Sequence, residues 1–431
     1  MKTTKQKRGF IFIIVAIFCL SLGGFAFGEE EIKGTGKISG DIFEKGGRYY
    51  HAFLSLYGAY DDNIFNTGED EESDFVTVIS PGFQLVFPAT RLQPLSIDTA
   101  TTTSGGLVYD RFEEPGFQQF QSYLAYNPRV FVYAENTDEN TVNHEAQGAL
   151  QYNLRGGLSF NLIDRFVQDF DRYEAGISTE TDTYRSNLAD LIISYAITEK
   201  TLFRVDYSNF IVFYTDPKNE DRNRVDNAGS GYLFFKIRSK TSLFAQYSII
   251  DISYDENSVR DSREQRILGG VYWNMTEKTR GSFRAGYGLR EFDDKQIEDG
   301  EDVVFEARLN YQATPKTSLG FGAYHRNEET PDLSADYVKT TSATAIYRQI
   351  LTDKFTFEFE LLYRDEDYQG GASTGSGDRS DQIFLAEPSL TYSFRDWLTA
   401  SFSYGFRQRE SNEDAFDFAG NRVVFEIRGA I

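Results

Sequence analysis

Apolar and polar residues alternate with a period of two along most of the chain. Residues 269–290, GGVYWNMTEKTRGSFRAGYGLR, show the repeating unit. Val271, Trp273 and Met275 share one parity before a polar turn. Phe283, Ala285, Tyr287 and Leu289 share one after it, with Arg284, Gly286, Gly288 and Arg290 between. A period of two puts successive side chains on opposite faces of a β-strand. The pattern predicts strands at 50–60, 75–87, 122–136, 141–153, 156–169, 184–196, 201–214, 223–237, 242–255 and 261–275. It continues at 280–293, 301–313, 317–329, 336–350, 354–368, 381–395, 398–410 and 420–431, about eighteen in all. Residues 88–120 resist the pattern. They carry a TATTTSGG run and Pro115-Gly116, and read either as a long periplasmic connection or as extra short strands.

The connections alternate in kind. Short turns include Thr198-Glu199-Lys200, Ser239-Lys240-Thr241, Thr276-Glu277-Lys278, Thr314-Pro315-Lys316 and Thr352-Asp353-Lys354. Long charged loops lie at 169–184, 216–224, 255–264, 293–302, 327–336, 365–381 and 410–420. Short turns at one end and long loops at the other mark an up-and-down barrel with periplasmic turns and extracellular loops. A propeller would repeat every ~40–45 residues without this asymmetry. The predicted fold is therefore all-β, a transmembrane antiparallel barrel of 16–18 strands over residues 49–431. The last strand runs to the terminus, as closure onto the first strand requires. Pro81, Pro128 and Pro388 fall inside predicted strands, which calls for bulges there or for shifted boundaries.

In this frame the outward parity is apolar. Tyr195, Phe203, Trp273, Phe283, Tyr311, Tyr347, Tyr392 and Trp397 flank the short turns on that parity, where a membrane girdle of aromatic rings belongs. Ordinary cross-strand packing in a soluble sheet is the competing reading of these rings. The opposite parity faces the lumen.

Composition adds a compartment. Aromatic residues make up 16 % of 431 residues and the formal charge is −22, a combination unlike an acidic disordered chain. Lys2, Lys5, Lys7 and Arg8 precede an apolar run, and Ala26-Phe27-Gly28 offers a small-x-small cleavage site. Residues 1–28 read as a signal peptide, the alternative being an anchor helix, and residues 29–48 as a periplasmic lead-in. The sole cysteine, Cys19, lies in the predicted signal peptide, so no disulfide is expected in the mature chain. The destination is the outer membrane of a Gram-negative bacterium, in contact with lipid and lipopolysaccharide.

Residues 57–87, YGAYDDNIFNTGEDEESDFVTVISPGFQLVF, resemble the opening of a family of outer-membrane β-barrel porins. The matching elements are Tyr60-Asp61-Asp62-Asn63-Ile64-Phe65 and Ile79-Ser80-Pro81-Gly82-Phe83. Members of that family are associated with exopolysaccharide export. The resemblance implies a polymer exit pore fed by a periplasmic polysaccharide-export protein, with polysaccharide in the lumen. Members commonly end in an aromatic residue, whereas this chain ends in Ile431.

The lumen parity carries Arg204, Lys236, Arg284, Arg290, Arg308, Arg326, Arg364 and Arg407, with Tyr232, Tyr272 and Tyr324 interleaved. Acids such as Asp206, Glu306, Glu358 and Glu360 share it, but bases outnumber them. Rings of arginine and lysine select anions in pores, which points to anionic or polyhydroxylated solutes. The alternative is that these charges pair across strands and select nothing. A general or anion-preferring diffusion porin is thus the second functional reading. An outer-membrane hydrolase is the third, resting on His144 and His325, with no G-x-S-x-G element beside them. The expectation is a non-enzyme without cofactor or bound metal. The acidic loops read as solvated rather than as calcium sites, since no twelve-residue calcium-loop pattern is present. The net negative charge disfavours nucleic acid.

Overall fold

The computed structural model describes residues 49–89, 95, 97–109, 111, 119–171, 181–276, 278–332, 334–370 and 379–430. The predicted signal peptide and the predicted lead-in at 29–48 lie outside the described residues.

The strands are β1 (Tyr50–Asp61), β2 (Asp74–Phe87), β3 (Phe120–Tyr133), β4 (Thr141–Asn153), β5 (Leu158–Asp171) and β6 (Asp182–Ala196). Then come β7 (Thr201–Tyr214), β8 (Arg224–Arg238), β9 (Thr241–Tyr254), β10 (Ser262–Thr276), β11 (Thr279–Phe292) and β12 (Gly300–Thr314). The last are β13 (Thr317–Glu328), β14 (Tyr337–Ile350), β15 (Phe355–Gln369), β16 (Ser380–Arg395), β17 (Leu398–Ser411) and β18 (Phe418–Ala430). Each pairs antiparallel with its sequence neighbours in one 18-stranded sheet, and β1 also pairs with β18. That pairing closes the barrel and removes both sheet edges.

Side-chain polarity is inverted relative to a soluble domain. Along β18, Val423, Phe425 and Ile427 are exposed on the outer wall, while Glu426 and Arg428 are buried inside. Ile267 is 68 % exposed, although it is among the most apolar of residues, so the wall is built to face lipid.

The short turns are set by their first residue. Thr198 Oγ1 accepts from the backbone N–H of Lys200 and Thr201, and Thr352 Oγ1 accepts from those of Lys354 and Phe355. A hydroxyl that closes the turn locally explains why threonine recurs there. At the other end Asp74 performs the analogous task for the β3–β4 loop, accepting from the backbone of Ala134, Glu135 and Asn136.

The prolines correct one expectation. Pro81 and Pro128 stand in the stretch of the β2–β3 ladder between Ile79↔Val130 and Phe83↔Tyr126, where pairing lapses without a change of register. Around Pro388 the β16–β17 ladder likewise skips from Ala386↔Phe406 to Ser389↔Ser403 in the same register. The missing N–H removes a rung and no residue is inserted, so the strands continue. The irregular steps sit instead beside short turns, at Lys236/Arg238, Trp273/Thr276, Gln312/Thr314 and Ser393/Arg395.

Candidate functional site: the barrel interior

The 88–120 stretch is neither a plain external connection nor a pair of extra wall strands. Its described part enters the barrel. It leaves β2 at the short-turn end, and its tip, residues 101–106, is buried near the long-loop end. An isolated bridge joins Thr99 to Leu107, so the segment doubles back on itself. Gly105 and Gly106 make that reversal with φ of +78° and +83°, and a Cβ on Gly106 would lie 2.4 Å from the Phe210 ring. A side chain at that position would meet both strain and a clash.

One flank of the segment is apolar. Ile97, with Leu95 and Leu107 beside it, packs on Ile163, Val167, Leu188, Phe210 and Val212 from the inner faces of β5, β6 and β7. The other flank and the tip are held by polar groups. The backbone N–H of Gly105 donates to Asp226 at 2.9 Å. Arg224 donates to the Thr103 carbonyl, and Arg326 donates to Thr103 Oγ1 and to the Val108 carbonyl. Tyr109 packs edge-on against Tyr324 and lies under the Arg308 guanidinium.

A second inward element completes the constriction. The β13–β14 loop brings Glu329 into the lumen, where its backbone N–H donates to the Thr102 carbonyl at 2.6 Å. The Glu329 carboxylate receives both terminal nitrogens of Arg290 at 2.8 and 2.9 Å, the Tyr254 hydroxyl at 2.7 Å and the Ser104 hydroxyl at 2.9 Å. Burial alone would raise its pKa, but Arg290, Arg224 and Arg260 outweigh that and hold it down at about 2.

The expected lumen residues fall as follows. Arg204, Arg284, Arg290, Arg326, Arg364, Arg407, Tyr232 and Tyr324 are buried inside, while Lys236, Arg308 and Tyr272 are half-buried. The arginines are not a bare cationic lining. Arg204 bonds Asp206, Arg284 bonds Glu306 at 2.6 Å, Arg326 bonds Glu328 at 2.5 Å and Arg407 chelates Asp61. Arg364 lies 3.7 Å from Glu366. Cross-strand and same-strand pairing is therefore extensive, which removes much of the positive potential that a count of arginines implies.

The expected girdle residues divide. Tyr195, Phe203, Phe283, Tyr311 and Trp397 are exposed on the outer wall near the short turns. Trp273, Tyr347 and Tyr392 are partly covered; Tyr392 sits 4.7 Å from both Phe355 and Phe394.

Residues 60–65, the first of the two elements that carried the family resemblance, build the barrel seam. Asp61 accepts the bidentate Arg407, whose Nε also donates to Asn66. Asp62 accepts from the backbone and side chain of Asn421 on β18. Asn63 donates to the Thr67 and Ala419 carbonyls. Ile64 and Phe65 turn inward onto Val76, Val78, Phe131 and Tyr133. The motif thus ties the first strand to the last two and packs the loop end of the seam.

Of the histidines considered for hydrolysis, His325 lies opposite Thr341 in the β13–β14 register, with Nδ1 2.7 Å from the hydroxyl and Nε2 3.4 Å from Asp302. Asp302 is shared with Lys339 at 3.2 Å. The strand register accounts for the contact as a cross-strand pair. Among the described residues no group of His, Cys, Asp and Glu is placed to hold a metal ion.

The fold defines a transmembrane β-barrel of the porin type. The sequence confirms the class: residues 196–430 match the family described as "Putative beta-barrel porin 2", and the chain belongs to that family. A comparison with curated proteins found no match. Among solved structures, OccAB4 of Acinetobacter baumannii is 7 % identical, with 90 % of this chain and 99 % of that one covered at a TM-score of 0.43. OpdO of Pseudomonas aeruginosa is 9 % identical, with 89 % and 97 % covered at 0.44.

Proposed function

We propose that the protein is a passive diffusion channel of a Gram-negative outer membrane, narrowed by its own inward segment and selective for small polar solutes. The observation that carries this reading is the tip at 101–106, docked inside a closed barrel by Asp226, Arg224, Arg326 and Glu329. Barrels of about 16–18 strands leave an aqueous channel when empty. Here an extended segment and a ring of paired charges occupy that space, which suits solutes of a few carbons better than a polymer. The short turns then face the periplasm and the long acidic loops the exterior.

Polysaccharide export rests on the resemblance carried by residues 60–65 and 79–83, and the side chains of Asp61, Asp62 and Asn63 are engaged in tying the seam. The export reading therefore stands second. A hydrolase stands third, since the His325–Thr341 contact follows from the strand register.

The test is conductance of the refolded mature protein in planar bilayers. Small stepwise conductance, raised several-fold by excising residues 97–109, is expected. No conductance from either form would overturn the channel reading. A gene deletion that traps polymer in the periplasm would restore export over diffusion.

A further inference from the structure

The outer wall departs from its apolar pattern on one side of the barrel. Asp164 on β5 lies between Ile163 and Arg165, both buried inside, and shares the outward parity of the exposed Leu162. The strand begins at Leu158, opposite the exposed girdle residue Tyr195, and Asp164 stands six residues further along. At about 3.3 Å per residue and a tilt of about 40°, that is ~15 Å into an apolar band ~25 Å tall. Outer-wall charges such as Asp251, Arg263, Glu291 and Glu301 stand ten to thirteen residues from the short turns, at or beyond the edge of that band. An ionisable group at the depth of Asp164 on a lipid-facing wall is costly and calls for a partner. Among the described residues it has one long hydrogen bond, from the Asn187 amide at 3.4 Å, and no ion pair.

The neighbours of Asp164 supply a second, independent sign. The ladder row through it reads Gly148, Asp164, Ala189, Asn209 and Asn227 across β4 to β8. The barrel itself does not require glycine on this face. A Cβ on Gly148 would meet nothing closer than 3.8 Å, and one on Gly229, two residues from Asn227, would meet nothing within 4 Å. Glycine inside a strand weakens it and marks places where another backbone comes close. Asn209 donates one amide hydrogen to Asn227 at 3.0 Å, and its second has no partner among the described residues.

We propose that this face docks a second copy of the chain, side by side in the membrane, about a two-fold axis that passes over Ala189. Strands lie about 4.8 Å apart, so Asp164 on β5 and Asn209 on β7 flank Ala189 at equal distances. They stand six and eight residues from the short-turn ends of their strands, within about 5 Å of the same depth. A two-fold axis along the membrane normal then brings Asp164 of each copy against Asn209 of the other, the reciprocal pairing of an isologous interface. The carboxylate lacks donors and the amide has one to give. Ala189 on the axis and the hollows at Gly148 and Gly229 let the two walls approach closely. Lipid tails would offer the carboxylate no donor at all. The inference goes beyond the channel reading and needs only a barrel in its membrane.

The one cysteine of the chain, Cys19, lies in the predicted signal peptide, so Ala189→Cys carries the single thiol of the mature protein. In proteoliposomes mild oxidation should link that variant to its own copy. Ala400→Cys, on the outward parity of β17, should stay unlinked. Sedimentation of the full mature chain in mild detergent should give twice the monomer mass. Asp164→Leu and Asn209→Leu should each weaken self-association by about tenfold, the loss of a hydrogen bond to a charged group. Leucine suits a lipid-facing wall, so neither change endangers the barrel, and heat-modifiable mobility on gels certifies folding. A monomeric mass together with no linking of Ala189→Cys would overturn the proposal. So would unchanged self-association in both leucine variants, a trimeric mass, or linking of Ala189→Cys in cells only to a different protein. The readout is mass and not conductance, so a failure here is separable from a failure of the channel reading, which is judged in bilayers.

Discussion

Glu329→Gln is the most informative single change. Glutamine keeps the size of the side chain and removes its charge. Arg290, fully buried, would then face an uncharged amide, and Ser104 would lose a carboxylate acceptor. Breaking a buried ion pair from one side costs about 3–5 kcal/mol. Most of that falls on the β11 wall and the β13–β14 loop. The share felt by the inward tip is the Ser104 bond, about 1.5–3 kcal/mol for a hydrogen bond to a charged group. At 1.4 kcal/mol per factor of ten, the undocked tip should become roughly 10–150 times more populated. Single-channel recording should show longer or more frequent high-conductance events, with the barrel still closed and heat-modifiable. The pH dependence has a definite sign. The carboxyl is held at about 2, below its usual value, so its contribution is complete above the unfolded value of about 4.3 and fades as pH falls towards 2. Acid opening should therefore begin only below about pH 4 in the parent and be absent in the glutamine variant. Identical gating in the two proteins at neutral pH would refute the docking role of Glu329.

Gly106→Val should raise conductance without lowering barrel stability, because the new Cβ meets Phe210 at 2.4 Å and the backbone has φ of +83°; unchanged conductance would mean that the tip does not limit flow. Arg407→Met removes the partner of Asp61 at the seam and should destabilise the folded barrel by about 3–5 kcal/mol, read as a lower urea midpoint; an unchanged midpoint would dismiss the seam lock. Arg284→Ala leaves Glu306 without its 2.6 Å partner and should move the reversal potential towards cations; a strongly anion-selective parent would contradict the pairing argument.

The wall was legible because lipid demands a strict period of two, and boundaries read from that period fall close to the observed strands. The turns were legible as short threonine-led units, and the hydroxyl of Thr198 or Thr352 supplies the physical reason. The inward segment was not legible as such, because 88–120 has no period to read. Its consequence was visible elsewhere. The run Phe210-Ile211-Val212-Phe213-Tyr214 is apolar on both parities, as is Leu191-Ile192-Ile193. A barrel strand facing water on one side alternates, so a strand apolar on both sides must be covered on both. Phe213 is exposed on the outer wall, while Phe210 and Val212 lie under Ile97.

The charge pairing also had a signal. Arg204-x-Asp206, Arg224-x-Asp226, Glu264-x-Arg266, Arg326-x-Glu328, Arg364-x-Glu366 and Arg379-x-Asp381 all place opposite charges two residues apart. Two residues apart on a strand means the same face, within reach of a long arginine. Five of these pairs bond at 2.5–3.1 Å, and the sixth lies at 3.7 Å. Counting arginines on the lumen parity therefore overstates its positive potential: Arg204, Arg326 and Arg364 have an acid two positions away, and Arg284, Arg290 and Arg407 find theirs on other elements. A net preference can arise only where this local pairing fails to balance.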